Sequence, residues 1–129
     1  MARVEFFVEG VPAPQGSKSV SRQGFLYETS KKLKPWRKKV AETAPAVYIP
    51  KPGAVQVGLT FIMPRPKSTP KKTPPAVKRP DLDKLVRACL DAITGVTIED
   101  DSQVTAIMAT KRLAEPGETT GVHVRIYPI

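Results

Sequence analysis

Two aspartates, Asp81 and Asp83, stand directly after the cationic stretch Arg65-Pro-Lys-Ser-Thr-Pro-Lys-Lys-Thr-Pro-Pro-Ala-Val-Lys-Arg-Pro80. A further acidic cluster, Glu99-Asp100-Asp101, follows one helix later. No acidic residue occurs between Glu42 and Asp81, so these carboxylates appear abruptly in a basic region. Carboxylates set inside positive surface suggest a divalent cation held against a polyanion. Hydrolysis of a phosphodiester needs an activated water, neutralised charge on the phosphate oxygens and help for the leaving alkoxide. Mg²⁺, held by one or two carboxylates with waters and the substrate phosphate, supplies all three. Asp81, Asp83 and Asp101 are therefore candidate metal ligands and catalytic residues.

The elements around them must bring these side chains together. Residues i and i+2 of a regular helix do not face one another. An N-cap residue has non-helical dihedrals, however, and from position 81 it can swing toward Asp83. Asp101 closes such a site if the strand over 104–112 begins beside that helix N-terminus. Ordinary capping and helix-dipole compensation would also place Asp at these positions, and Glu99-Asp100-Asp101 would serve equally as a solvated turn. Spacing alone leaves both readings open. Arg87, one turn past Asp83, is either an i,i+4 ion-pair partner or a guanidinium aimed at the scissile phosphate.

The helix itself is well specified. Leu82, Leu85, Val86, Cys89, Leu90 and Ile93 form an apolar stripe, Asp83, Arg87 and Asp91 line the other side, and Gly95 stops it. Upstream, Val4–Glu9 reads as a strand and residues 15–24 as a polar, basic loop. Leu33, Trp36, Val40 and Ala44 recur at helical spacing among Lys31, Lys32, Lys34, Arg37, Lys38 and Lys39, with Pro35 tolerable only in a first turn. Residues 54–63 alternate as a strand, with Val55, Val57, Leu59, Phe61 and Met63 on one face. The 64–80 stretch holds six prolines and six Lys/Arg, which predicts a long, partly mobile, functional loop. Two strands follow the helix, over 103–112 and 121–127. The order β-α-β-α-β-β predicts a mixed α/β (α+β) domain, a small mixed sheet packed by two helices, spanning residues 1–129. Trp36 and Cys89 are expected in the core and His123 in a structural role, since no Ser or Cys partner accompanies it.

Composition narrows the partners. The chain has 129 residues, enough for one core, with 21 Lys+Arg against 12 Asp+Glu and a formal net charge of +9. That excess favours nucleic acid over membrane. The candidate DNA contacts are Lys67, Lys71, Lys72, Lys78, Arg79 and Lys84. One Cys and one His exclude an internal disulfide and argue against a zinc site. With no long apolar run and no signal-peptide pattern, the expected setting is cytoplasmic.

The segment Arg79-Pro-Asp-Leu-Asp-Lys-Leu-Val-Arg-Ala-Cys-Leu-Asp-Ala-Ile-Thr-Gly95, followed by Ile98-Glu-Asp-Asp-Ser-Gln-Val104, resembles the RusA family of Holliday junction resolvases, common in phages and prophages. The upstream Gly10-Val-Pro-Ala-Pro-Gln-Gly-Ser-Lys-Ser, Tyr27-Glu-Thr-Ser and Trp36-Arg37 resemble phage-type members. The resemblance implies a homodimer that nicks two opposed strands of a four-way DNA junction with Mg²⁺ or Mn²⁺, in a bacterial host cell. It places the family's essential aspartates on Asp81, Asp83 and Asp101, and its essential lysine on Arg87. A guanidinium does not readily exchange a proton, so Arg87 would act by electrostatics. Lys84 stands where Asn is frequent, and the helix-to-strand turn is one residue shorter than in the best-known member. Two other readings are a non-catalytic basic DNA-binding module and a less selective flap or single-strand nuclease.

Overall fold

The computed structural model describes residues 3–16, 18–20, 26–28 and 31–129; of residues 18–20 and 26–28 only the backbone is described. In chain order the elements are β1 (Val4–Glu9), β2 (Lys18–Val20), β3 (Leu26–Glu28), α1 (Leu33–Thr43), β4 (Val55–Met63), α2 (Leu82–Ile93), a 3₁₀ turn (Asp101–Gln103), β5 (Val104–Leu113) and β6 (Gly121–Pro128). The main order is the β-α-β-α-β-β expected, and the fold is mixed α+β. The sequence reading missed the β2–β3 hairpin, where Lys18, Ser19 and Val20 pair antiparallel with Glu28, Tyr27 and Leu26. Two three-residue strands are too short to show a period-2 pattern, and half of the predicted 15–24 loop that surrounds β2, residues 17 and 21–24, lies outside the described residues.

The larger sheet runs β1-β6-β4-β5. β4 lies at its centre, antiparallel to β6 and parallel to β5. A parallel pair cannot be joined by a tight turn. The chain between β4 and β5 therefore contains both the 64–80 loop and α2, and this single crossover carries most of the candidate functional residues.

Alternation along the strands sets what is buried. Val55, Val57, Leu59 and Phe61 of β4 meet Val122, Val124 and Ile126 of β6 and Val8 of β1 in the core. Leu33, Trp36 and Val40 of α1, and Leu85, Cys89 and Ile93 of α2, cover them from the helical side. Each such side chain contributes roughly 1.5–3 kcal/mol by leaving water. Trp36 fits because Gly10 has no side chain: a Cβ there would lie 3.3 Å from the indole ring. Cys89 is a core residue, and burial pushes its thiol up to about 12. Gly95, at φ +84°, follows the C-cap Thr94 and reverses the chain, its N–H donating to the Ile98 carbonyl at 2.7 Å. No helix among the described residues is long and apolar enough to cross a membrane.

Candidate active site

Asp81 is the N-cap of α2, with the extended dihedrals expected of that position (φ −70°, ψ 140°). Its carbonyl accepts from Leu85 N–H at 3.2 Å, but its carboxylate makes no capping hydrogen bond. The side-chain cap, one of the two ordinary explanations for an aspartate here, is thus not made. Asp83 sits exposed in the first turn, where its charge complements the positive end of the helix dipole. Neither carboxylate has a hydrogen-bonding or ionic partner among the described residues.

The acidic turn after α2 divides its three carboxylates between two tasks. Asp100 is the N-cap of the 3₁₀ turn: its Oδ2 accepts from Ser102 N–H at 3.2 Å and lies 3.5 Å from Lys51 Nζ. Hydrogen bonds from Ser102, hydroxyl first and backbone next, hold the Asp100 carboxyl below the usual range, and Lys51 adds to this. Glu99 Oε1 accepts from the Lys51 backbone N–H at 3.1 Å. Asp101 alone turns toward α2, where its Oδ2 meets Arg87 Nη1 at 3.1 Å. The buried Gln103 fixes this division. Its Nε2 donates to the Ile49 and Gly53 carbonyls at 3.0 and 2.7 Å, and its Oε1 accepts from Asp100 N–H at 2.8 Å.

Arg87 is not the i,i+4 partner of Asp83. Its Nη1 lies 3.9 Å from Asp91 Oδ1, on the next turn of α2, as well as against Asp101. The expected condition for closing the site is met differently from the sequence reading. The turn that opens β5 meets the middle of α2, through Arg87, while the far end of β5 meets the helix start. There Lys111 Nζ donates to the carbonyls of Lys78 and Pro80 at 2.8 and 2.7 Å, immediately before Asp81. Asp101 and Arg87 are brought together, and among the described residues no hydrogen bond or ion pair joins Asp81 or Asp83 to them. Among the described residues no three His, Cys, Asp or Glu side chains form a group ready to hold an ion.

The donors nonetheless suit a hard cation. They are carboxylate oxygens, two of the carboxylates are unpaired, and Mg²⁺ typically takes only one or two from protein before completing its shell with water and phosphate.

The 64–80 loop has no helix or strand, as expected, but it is tied down at several points. Arg65 donates to Thr73 Oγ1 at 2.6 Å and to the Pro70 and Ala114 carbonyls at 2.7 and 3.2 Å. Lys67, Lys71, Lys72, Lys78 and Arg79 are exposed, with no acidic partner among the described residues, whereas Lys84 is half-buried on α2. The residues missed from sequence are the ones that position others: Lys111, Gln103, Arg65 and Lys51. Lys111 and Lys51 have no local signal, because their partners lie far along the chain. The Gln of Asp-Asp-Ser-Gln was visible, and its Asp100-x-x-Gln103 spacing is that of a capping box. His123 is half-buried on the sheet, with Nε2 2.6 Å from Glu5 Oε1 and Nδ1 3.0 Å from Arg125 Nη1, well removed in sequence from these carboxylates.

The small α+β fold thus carries carboxylates, unpaired among the described residues, at the start of one helix, directly after a tethered cationic loop, an arrangement suited to a polyanionic substrate. The family model described as endodeoxyribonuclease RusA matches residues 9–127, nearly the whole chain, and the protein belongs to that family. A comparison with curated proteins finds no match. The family's members are Holliday junction resolvases, and the enzyme is accordingly an endodeoxyribonuclease with junction DNA as its partner.

Proposed function

We propose that the enzyme hydrolyses phosphodiesters with Mg²⁺ or Mn²⁺ held by Asp81 and Asp83, with Asp101 as the third carboxylate. The observation that carries this reading is Asp81: an N-cap aspartate whose carboxylate caps nothing, next to an Asp83 equally unpaired among the described residues. An ion bound there would supply an activated water and neutralise phosphate charge. The chain's own residues supply the rest. Lys111 fixes the backbone leading into Asp81, and Gln103 fixes the turn that presents Asp101. Arg87 faces Asp101 and Asp91; a scissile phosphate offers its guanidinium a competing anion, to which it would bind through fixed donors without exchanging a proton. Lys67, Lys71, Lys72, Lys78 and Arg79 on the loop, with Lys84, contact the DNA backbone and read junction shape rather than base sequence. Two copies acting as a homodimer would match the two-fold symmetry of a four-way junction and cut opposed strands.

The test is incubation with a synthetic mobile four-way junction and with linear duplex at matched salt. Paired symmetric nicks in the junction are expected with Mg²⁺ or Mn²⁺ and none in EDTA. Undiminished cleavage in EDTA would sink the metal assignment, and equal cleavage of linear duplex would sink junction selectivity.

A further inference from the structure

A cavity of about 630 Å³ opens beneath the 64–80 loop and takes no part in the carboxylate chemistry above. Its walls are apolar and rich in proline, with Pro12, Met63, Pro66, Pro75, Ala76 and Leu113 among them. Among the described residues three cations, Lys32, Lys78 and Arg79, also line it, and no acid does. Its volume lies within the ~300–1,000 Å³ range of cavities that enclose organic ligands.

We infer that this cavity receives an unstacked nucleobase of branched DNA, with Lys32, Lys78 and Arg79 holding the flanking phosphates. The inference rests on the junction-cleaving reading and gives it a specific source of selectivity. Position is the first argument. Arg79 and Pro80 belong to the wall, and the next residue is Asp81, so an occupant lies beside the start of the catalytic helix. Chemistry is the second. The apolar C–H faces of proline rings pack against the face of any base, and Ser68 in the wall, whose hydroxyl has no partner among the described residues, can meet a base edge.

Charge points to a polymer rather than a small apolar ligand. Lys32 is the N-cap of α1, flanked by Lys31 and Lys34, and the first turn of that helix contains no acid. Cations at a helix N-terminus oppose the helix dipole and cost local stability. Lys32 lines the cavity itself, so an external anion bound there offsets part of that cost. The cavity is also held in shape. Arg65 and Lys111 fix its loop at both ends, and Thr69 closes a turn on the Pro66 carbonyl at 2.6 Å. A duplex must break stacking to fill such a site, whereas a branch point already presents weakly stacked bases.

The proposal is tested with junctions carrying 2-aminopurine singly at each nucleotide flanking the branch point, titrated with the full chain in EDTA. One position should brighten on binding as its base leaves the stack. An abasic nucleotide at that same position should weaken junction binding roughly tenfold. Ala76→Phe, which fills the cavity, should remove both effects and leave linear-duplex affinity unchanged. Absence of brightening at every position overturns the proposal. Full brightening in a natively folded Ala76→Phe variant, checked by circular dichroism, does the same. Saturable binding of a free nucleoside monophosphate, lost in Ala76→Phe without change in junction binding, would assign the cavity to a small ligand instead. Mg²⁺-dependent nicking by the unaltered protein reports on the carboxylates alone, so the two readings fail separately.

Discussion

Two helix starts in this protein carry an N-cap aspartate and use it in opposite ways. Asp100 accepts a hydrogen bond from Ser102 N–H and shares a capping box with Gln103. Asp81 has the same extended backbone but leaves its carboxylate without a partner among the described residues. The residue type and the position are alike; what differs is whether the side chain is already committed to the backbone. A carboxylate engaged in capping is held in place with one oxygen committed, whereas an uncommitted one keeps both oxygens for a cation. The same contrast separates Asp100 from its neighbour Asp101, which faces α2.

This contrast makes predictions of descending size. Asp81→Asn and Asp83→Asn should each lower Mg²⁺-dependent nicking by at least about 10²-fold while retaining junction binding. The melting temperature of Asp81→Asn should stay close to that of the unaltered protein, because no cap is lost. A large fall in stability with activity preserved would reverse the comparison and make Asp81 the structural residue. Next, Gln103→Ala should destabilise by roughly 2–4 kcal/mol in urea unfolding, since it removes three hydrogen bonds and takes their side-chain partner from the Gly53 carbonyl and the Asp100 N–H. Its activity should fall as well, because Asp101 loses its support.

Asp100→Ala should cost about 1 kcal/mol, the usual value of an N-cap, with a much smaller effect on the chemical step than Asp81→Asn. An equal loss of nicking in both would erase the distinction between them. The smallest effect concerns pH. Hydrogen bonds from Arg112 hold the Glu118 carboxyl down at about 2, helped by the Glu115 backbone. A depressed folded value means that its stabilisation is fully present above the ordinary Glu value of 4.5 and is lost as pH falls toward 2. Asp100, shifted in the same direction, loses its contribution as pH falls below 3.8. Glu118→Gln should flatten the acid limb of the stability curve slightly, read as the urea midpoint between pH 5 and 2.

Much of this architecture was legible in the sequence because its signals are local. The stripe from Leu82 to Ile93, the Gly95 stop and the alternation of β4 each follow from a period or a backbone preference. The family pattern was legible too, since Asp81, Asp83 and the Asp-Asp-Ser-Gln turn are short motifs. Asp101 was singled out from its two acidic neighbours, but what makes it the one that faces the helix could not be read. That depends on Gln103 reaching Ile49 and Gly53, about fifty residues upstream. The pairing of Arg87 with Asp91 and Asp101, rather than with Asp83, likewise depends on how α2 and the turn pack. The β2–β3 hairpin is set by pairing across a loop and carries no periodic signal of its own.

The Lys111 clamp has a consequence for how the gene can change. The turn holding Asp101 opens β5, and Lys111 near its other end grips the carbonyls that lead into Asp81. Side chains alternate faces along a strand, so inserting or deleting one residue between Val104 and Lys111 would turn the ammonium to the opposite face. Both ends of the site are therefore gauged by a counted number of residues. Substitutions along the exposed part of β5 should be tolerated far better than any change in its length.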